Sequence, residues 1–285
     1  MSYDEALERV RALGALDDET IRPQAYTRLY SHDRMTPLAI VLLHGITNNP
    51  QQFDVLAPQL HDRGHNVLVP RLPEQGDRDR MTTRLKSLTA ERLLATATEA
   101  VDIARGLGGK VVVAGISTSG LLCAYFAQYR DDVSHSVPIN PVFSMLRFSR
   151  GLNEVFEKLL SWLPNFFIWW DPRIREQQLP LHAYPRVPTH ALTACLRIGD
   201  DVYRRAQGSL PLCGMVTVIT NRLDPAVNNE VTYAVVRFWQ RLGQKVASFQ
   251  FSDLPKNHDI IDPANPIAKV DIVYPKLIEI LERAA

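Results

Sequence analysis

Continuous apolar runs alternate with segments of helical periodicity along most of the chain. PLAIVLLHG at 37–45 is a short unbroken apolar run closed by glycine, the pattern of a strand covered on both faces. HNVLVP (65–70) is a second buried strand, KVVVAG (110–115) a third clear one, and HSVPIN (135–140), GMVTVIT (214–220) and VASFQF (246–251) complete the strands. Between them, QQFDVLAPQLHDRG, TAERLLATATEAVDIARGLG and NEVTYAVVRFWQRLG carry apolar residues at helical spacing. The second of these has Thr89 as an N-cap and a glycine stop. Strands alternating with amphipathic helices predict an α/β chain with a mostly parallel sheet wound on both faces.

The rhythm breaks between Pro141 and about Gly208, because a βαβ crossover needs only about a dozen residues. The expected division is a core made of 1–140 and 209–285 and an inserted cap at 141–208. Two helical segments of the insert flank a Pro-rich, aromatic middle that includes WLPNFFIWW at 162–170. Each large ring buries roughly 150 to 250 Å² when covered. The cluster of Trp162, Phe166, Phe167, Trp169 and Trp170 is therefore expected to cover something. Phe166, Trp169 and Trp170 are the candidate pocket residues; packing of the cap onto the core, or contact of a lid with a lipid surface, are the other uses of such rings.

Charge narrows the partners. The 285 residues carry 32 Lys and Arg against 31 Asp and Glu, with no basic stripe to meet a phosphate backbone, so no nucleic acid is expected. Cys123, Cys195 and Cys213 are an odd number with no CxxC pair, which fits a reducing compartment and argues against zinc. The amino-terminal segment is charged and amphipathic, and no stretch has 18 uninterrupted apolar residues. The expectation is a soluble cytoplasmic protein without an integral membrane segment, needing neither metal nor cofactor.

The strand KVVVAG runs straight into Gly115-Ile-Ser-Thr-Ser-Gly120 and then into helical LLCAYFAQY. Gly and Ser punctuate strand ends generally, so a plain turn is one reading. The other is a nucleophile elbow, a sharp strand-to-helix turn that lifts the Ser117 hydroxyl above the sheet edge. Ser119 is the weaker nucleophile, lacking a glycine two residues before it and falling inside the helix start. Three further segments bear on the choice: LLHGITNNP, ITNRLDPAVN and LPKNHDIID. Together with GISTSG, in this order, they make the chain from about Ala39 onward, apart from the insert, resemble the α/β-hydrolase superfamily. The small bacterial carboxylesterases and monoacylglycerol-lipase-like enzymes are the most similar in pattern.

The resemblance implies an α/β-hydrolase fold with a helical cap before the acid-bearing strand. It also implies Ser117 as nucleophile, His258 as base, Asp224 as acid, and an oxyanion hole formed by the backbone N–H groups of Ile46 and Thr118. His44 would hold its loop rather than act as a second base. Asp224 precedes Pro225 and could instead be a helix N-cap, with Asp200 or Asp201 as the acid. Two positions depart from the family's pattern: Ser119 stands where glycine is usual, and Gln75 in RLPEQGD where histidine often is. The implied activity is hydrolysis of small to medium apolar carboxylic esters, without cofactor, with the histidine titrating at about 6 to 7. A hydrolase-fold receptor with little turnover, or an amidase or acyltransferase built on the same residues, would look alike at this level.

Overall fold

A computed structural model describes residues 1–145, 148–243 and 246–284. The apolar runs become strands covered on both sides, except for the last, VASFQF, which lies at the sheet edge with Ala247, Ser248 and Gln250 exposed. They are β2 (Thr36–Leu43), β3 (Asn66–Val69), β4 (Gly108–Ile116), β5 (His135–Ile139), β8 (Val216–Asn221) and β9 (Val246–Phe251), with a short β1 (Arg28–Tyr30) at one edge. They form one sheet in the order β1-β3-β2-β4-β5-β8-β9. All neighbours are parallel except β1, which pairs antiparallel with β3. The sequence pattern did not announce β1, since three residues are too few to show a period of two.

Alternation along β2 sorts its side chains to two cores. Ala39, Val41 and Leu43 face the cluster that includes α3 (Ala90–Leu107) and α4 (Thr118–Tyr129). Leu38, Ile40 and Leu42 face the other, with α2 (Leu56–Asp62) and α8 (Val270–Leu281). Thr89 caps α3 as expected, accepting from the Arg92 N–H. At the amino terminus, Ser2 and Glu5 form a reciprocal capping box on α1 (Tyr3–Gly14), whose Ala6 enters the first core. A further helix, α7 (Asn229–Arg241), lies between β8 and β9 and buries Trp239.

The insert holds α5 (Arg150–Trp162), a two-stranded ribbon of β6 (Phe167–Trp169) and β7 (Arg186–Pro188), and α6 (Thr189–Ala206). Ala191, Leu192, Cys195, Leu196, Ile198 and Val202 of α6 belong to the same buried cluster as the sheet. That helix therefore packs as part of the main layer. The outer helix α5 is different: it turns Asn153 and Glu157 inward and leaves Leu152, Val155, Leu159 and Trp162 in solvent. Trp162 is 94% exposed, so the expectation that every ring of the aromatic run would be covered is corrected here. The inner side, which also buries Leu160, meets α6 through a largely polar seam, and the apolar side is left uncovered among the described residues.

That seam contains Glu157 and Asp200, both buried, with Arg150 ion-paired to Asp200 and Arg197 at 3.8 Å from Glu157. Burial, then the hydrogen bond and charge of Asp200, push the Glu157 carboxyl up to about 8. Glu157 thus keeps a proton in the folded chain that it gives up when unfolded, from the ordinary carboxyl range up to about pH 8. Its contribution to stability falls as pH rises through that window. Glu157→Gln, which keeps the hydrogen-bonding shape without the titration, is expected to raise Tm more at pH 8 than at pH 5. Thermal unfolding at the two pH values measures this, and an equal shift at both contradicts it.

Candidate active site

The candidate nucleophile sits where β4 ends and α4 begins. Ser117 has φ 63° and ψ −119°, a left-handed value that a side chain with a Cβ adopts only when its surroundings impose it. Its N–H donates to the Ile139 carbonyl at 2.9 Å, and its own carbonyl accepts from the Val142 N–H. The turn is therefore pinned to the end of β5. Two glycines let it approach. A Cβ on Gly115 would lie 2.7 Å from the Ser119 carbonyl oxygen, and one on Gly120 would lie 2.9 Å from the Pro141 Cα.

Ser119 lies inside α4, with its hydroxyl donating to the His44 carbonyl, so it is turned away from reaction chemistry. This also accounts for serine at a position where glycine is usual: the side chain is small enough for the contact and has an acceptor waiting. His44 is fully buried and neutral, its pKa pulled down to about 3 by burial. Its Nδ1–H donates to the Gly45 carbonyl while Nε2 accepts from the Leu72 N–H, which fastens the loop after β2 to the loop after β3. Gln75, in that second loop, is buried with neither amide atom hydrogen-bonded among the described residues.

His258 follows β9, and its Nδ1–H donates to Asp224 Oδ2 at 2.7 Å. The other oxygen of Asp224 accepts from the Ala226 and Val227 N–H groups, so the carboxylate is held from both sides. The cap of α7 is Asn228 rather than Asp224, because the helix begins four residues beyond Pro225. Asp200 and Asp201 are on α6, engaged by Arg150 and by the Tyr129 hydroxyl. Neither is brought to His258.

Two buried amides hang the His258 loop from the sheet, and sequence reasoning missed both. Asn140, at the end of β5, donates to the His258 carbonyl at 2.8 Å and accepts from the Asn221 N–H. Asn221, at the end of β8, donates to the carbonyls of Pro255 and Asn257. Next to His258, Asp259 accepts from Gln52 and Asn48. Asn48 also reaches Asp262, which pairs with His182 of the insert at 2.9 Å. The only sequence sign of this network is the density of Asn and Asp around the strand ends.

Ser117, Thr118, Ile46 and His258 line one cavity of about 320 Å³, within the range of small-molecule sites. Val142, Met145, Leu179, Leu192 and Val227 form its apolar wall; Asn48, Gln52, Asn257, Asp259 and Asn265 form a polar one. Trp170 lines it as well, with its indole N–H donated to the Thr47 hydroxyl at 3.0 Å. Trp169 and Phe166, expected as pocket residues, are not part of the lining. Strand alternation turns Trp169 to the side of Phe167, where the Arg186 guanidinium lies over both rings. Phe166 precedes the strand, with its ring half exposed. The Ile46 N–H points at the Thr118 hydroxyl oxygen, 3.0 Å away.

A mostly parallel sheet with a strained serine turn at the end of its central strand and a histidine loop after the last strand defines the α/β-hydrolase fold. The sequence profile of the alpha/beta hydrolase family matches residues 40–265, and the chain belongs to that family. It is 25% identical over 162 residues to a thermostable monoacylglycerol lipase of Bacillus sp. (strain H-257), a match covering 57% of this chain and 62% of that protein. The chain thus spans less than two thirds of that relative. Among solved structures it resembles a lipolytic enzyme from a metagenome-derived pair, LipS and LipT. That match has a TM-score of 0.73 at 16% identity, covering 92% of this chain and 99% of the other. The monoacylglycerol lipase of Paleococcus ferrophilus aligns with a TM-score of 0.66 at 16% identity, over 91% of this chain and 99% of its own.

Burial alone would lower the pKa of His258, but the charge and hydrogen bond of Asp224, with a further push from Asp259, leave it above the ordinary histidine value. Asp259 is itself raised to about 6 by burial and by the charge of Asp262, so it acts fully on His258 only above that pH. Titration of the His258 ring by NMR is expected to give a midpoint above that of an unperturbed histidine, about 6.5. Asp259→Asn is expected to lower it. A midpoint at or below the ordinary value contradicts this account.

Proposed function

We propose that this chain is a serine hydrolase of carboxylic esters with small to medium apolar groups, working through an acyl-enzyme. The observation that carries the reading is the single cavity shared by a serine in a strained turn and a histidine oriented by a carboxylate. Ser117 Oγ attacks the ester carbonyl while His258 Nε2 takes its proton. Asp224 keeps the imidazole in the tautomer that leaves Nε2 as acceptor and stabilises the imidazolium that forms. The tetrahedral oxyanion faces the N–H of Thr118, whose place at the first turn of α4 leaves it without an intrahelical acceptor. The Ile46 N–H, the other donor expected, is directed at the Thr118 hydroxyl oxygen beside it. His258 then returns the proton to the leaving alcohol, and water repeats the sequence to release the acid.

The similarity to proteins named as monoacylglycerol lipases and lipolytic enzymes supports esters as the substrate class. The apolar wall of Val142, Met145, Leu192 and Val227 suits an acyl chain, each shielded methylene adding about 0.8 kcal/mol until the space is full. The exposed ridge of Leu152, Val155, Leu159 and Trp162 on α5 supports transient contact of the insert with aggregated or membrane-held substrate. No described helix is long and apolar enough to cross a membrane.

A fluorophosphonate probe followed by intact mass analysis, together with turnover of p-nitrophenyl esters, tests the assignment. Labelling at Ser117 with turnover is expected, and Ser117→Ala is expected to abolish both while Tm stays near wild type. A folded wild-type chain silent in both assays favours a ligand receptor instead. The chain-length profile is expected to peak at short to medium acyl groups and to shift in Trp170→Ala. Trp162→Ser is expected to slow hydrolysis of an emulsified long-chain ester and to spare a dissolved short one. Equal loss on both substrates would remove the surface-contact role.

A further inference from the structure

The expected second oxyanion donor is already occupied. The Ile46 N–H, at the end of the loop entrance after β2, donates to Thr118 Oγ1 at 3.0 Å, across 72 positions of sequence. Oxyanion donors lie about 2.7 to 3.1 Å from the oxygen they stabilise. An oxyanion aligned with this N–H would therefore stand where Thr118 Oγ1 stands. Thr118 is buried, and turning its side chain by 120° in one sense would only put its methyl group in the same place. The hydroxyl itself has accepted one hydrogen bond and has no acceptor for its own hydrogen among the described residues. It belongs to the residue after the nucleophile and lines the cavity with Ser117, Ile46 and His258.

We propose that the Thr118 hydroxyl is a catalytic group: the second donor to the oxyanion, polarised by the Ile46 N–H rather than bypassed by it. This rests on the ester-hydrolase reading given above. The chain of bonds runs from Ile46 N–H to Thr118 Oγ1, and from Thr118 Oγ1–H to the oxyanion. A hydroxyl that accepts a hydrogen bond donates more strongly, and the low polarity of a buried site enlarges the effect. No proton changes owner in this relay. The hydrogen stays on Thr118 as the negative charge gathers on the carbonyl oxygen, and it stays there when the charge returns to re-form the carbonyl and expel the alcohol. Thr118 would thus present two donors to one oxygen, its backbone N–H and its side chain. Ile46 would act as the positioning residue behind them.

The two arrangements predict opposite effects of removing the hydroxyl. If Ile46 served directly, Thr118→Ala would clear the group that occupies its N–H, whereas valine would leave a methyl there, and activity of the alanine variant would hold or rise. If the relay operates, Thr118→Val and Thr118→Ala lose about 10² to 10³ in kcat on a p-nitrophenyl ester, with KM changed only a few-fold. Thr118→Ser, which restores the hydroxyl, recovers most of the rate. The Ki of a trifluoromethyl ketone, which forms a tetrahedral adduct on the serine, is expected to rise in parallel with the loss in kcat/KM. The Ki of the corresponding unreactive carboxamide is expected to stay put, a separation that mere loosening of the turn would not give. Should Thr118→Val fail to fold, the Ser-against-Ala comparison carries the same contrast.

Wild-type kcat retained in Thr118→Ala overturns the relay while leaving the ester-hydrolase assignment in place. A wild-type chain that neither turns over esters nor labels at Ser117 overturns both.

Discussion

The approach of the Ser117 turn to the strands beside it is limited by contact distance, and most of the site depends on that approach. With side chains on Gly115 or Gly120, atoms would meet the Ser119 backbone or Pro141 at under 3 Å, and the turn would have to move off the end of β5. Its position is kept by two backbone hydrogen bonds, one from Ser117 to Ile139 and one to Ser117 from Val142. The left-handed backbone of Ser117 costs on the order of 1–3 kcal/mol, and persists because the surrounding strands leave no relaxed alternative. From that fixed point follow the start of α4, the place of Thr118 and the opening of the cavity between the strand ends.

Around the turn, the strand ends are laced together chiefly by neutral groups. Asn140 and Asn221 are fully buried and make side-chain bonds to main-chain atoms of the adjoining strand and of the His258 loop. His44, also buried, is neutral. An amide or a neutral imidazole can be satisfied in such a place at the cost of desolvating dipoles only, whereas ions there would need paired charges. Carboxylates enter at Asp224 against His258, and at Asp259 and Asp262 a few residues further on. There, proximity to the imidazole shifts the affinity of one group for a proton.

The α/β alternation was legible because most of the strands are nearly continuous apolar runs and the helices between them keep a 3.6-residue period. The edge strand β1 was not, since RLY carries no period and its pairing is supplied by β3. In the site, order along the chain led to Ser117, Asp224 and His258, and the structure brings the last two into hydrogen-bond contact. Residues that act through long-range pairing left no such trace: nothing in the local sequence joins His182 to Asp262, 80 positions apart, or Thr118 to Ile46. The aromatic run was misread for a related reason. Composition says that Trp162, Phe166 and Trp169 are apolar, but only the alternation of β6 and the inverted face of α5 decide where each ring goes.

The buried contacts of His182 bear on how this architecture can diversify. Its side chain pairs with Asp262, four residues beyond His258, and its carbonyl accepts from Asn49 in the loop after β2. Arg80 holds the same stretch of the insert through the carbonyls of Glu176, Gln178 and Ala183. The roof over the cavity is consequently not an interchangeable module. A segment without a histidine at this point would take away one partner of a fully buried carboxylate, leaving Asp262 to Asn48 and the Ala264 N–H. Exchange of the roof requires co-inheritance of the floor beneath it, so that new substrate ranges are reached more readily by single replacements on the cavity walls than by recombination of whole inserts.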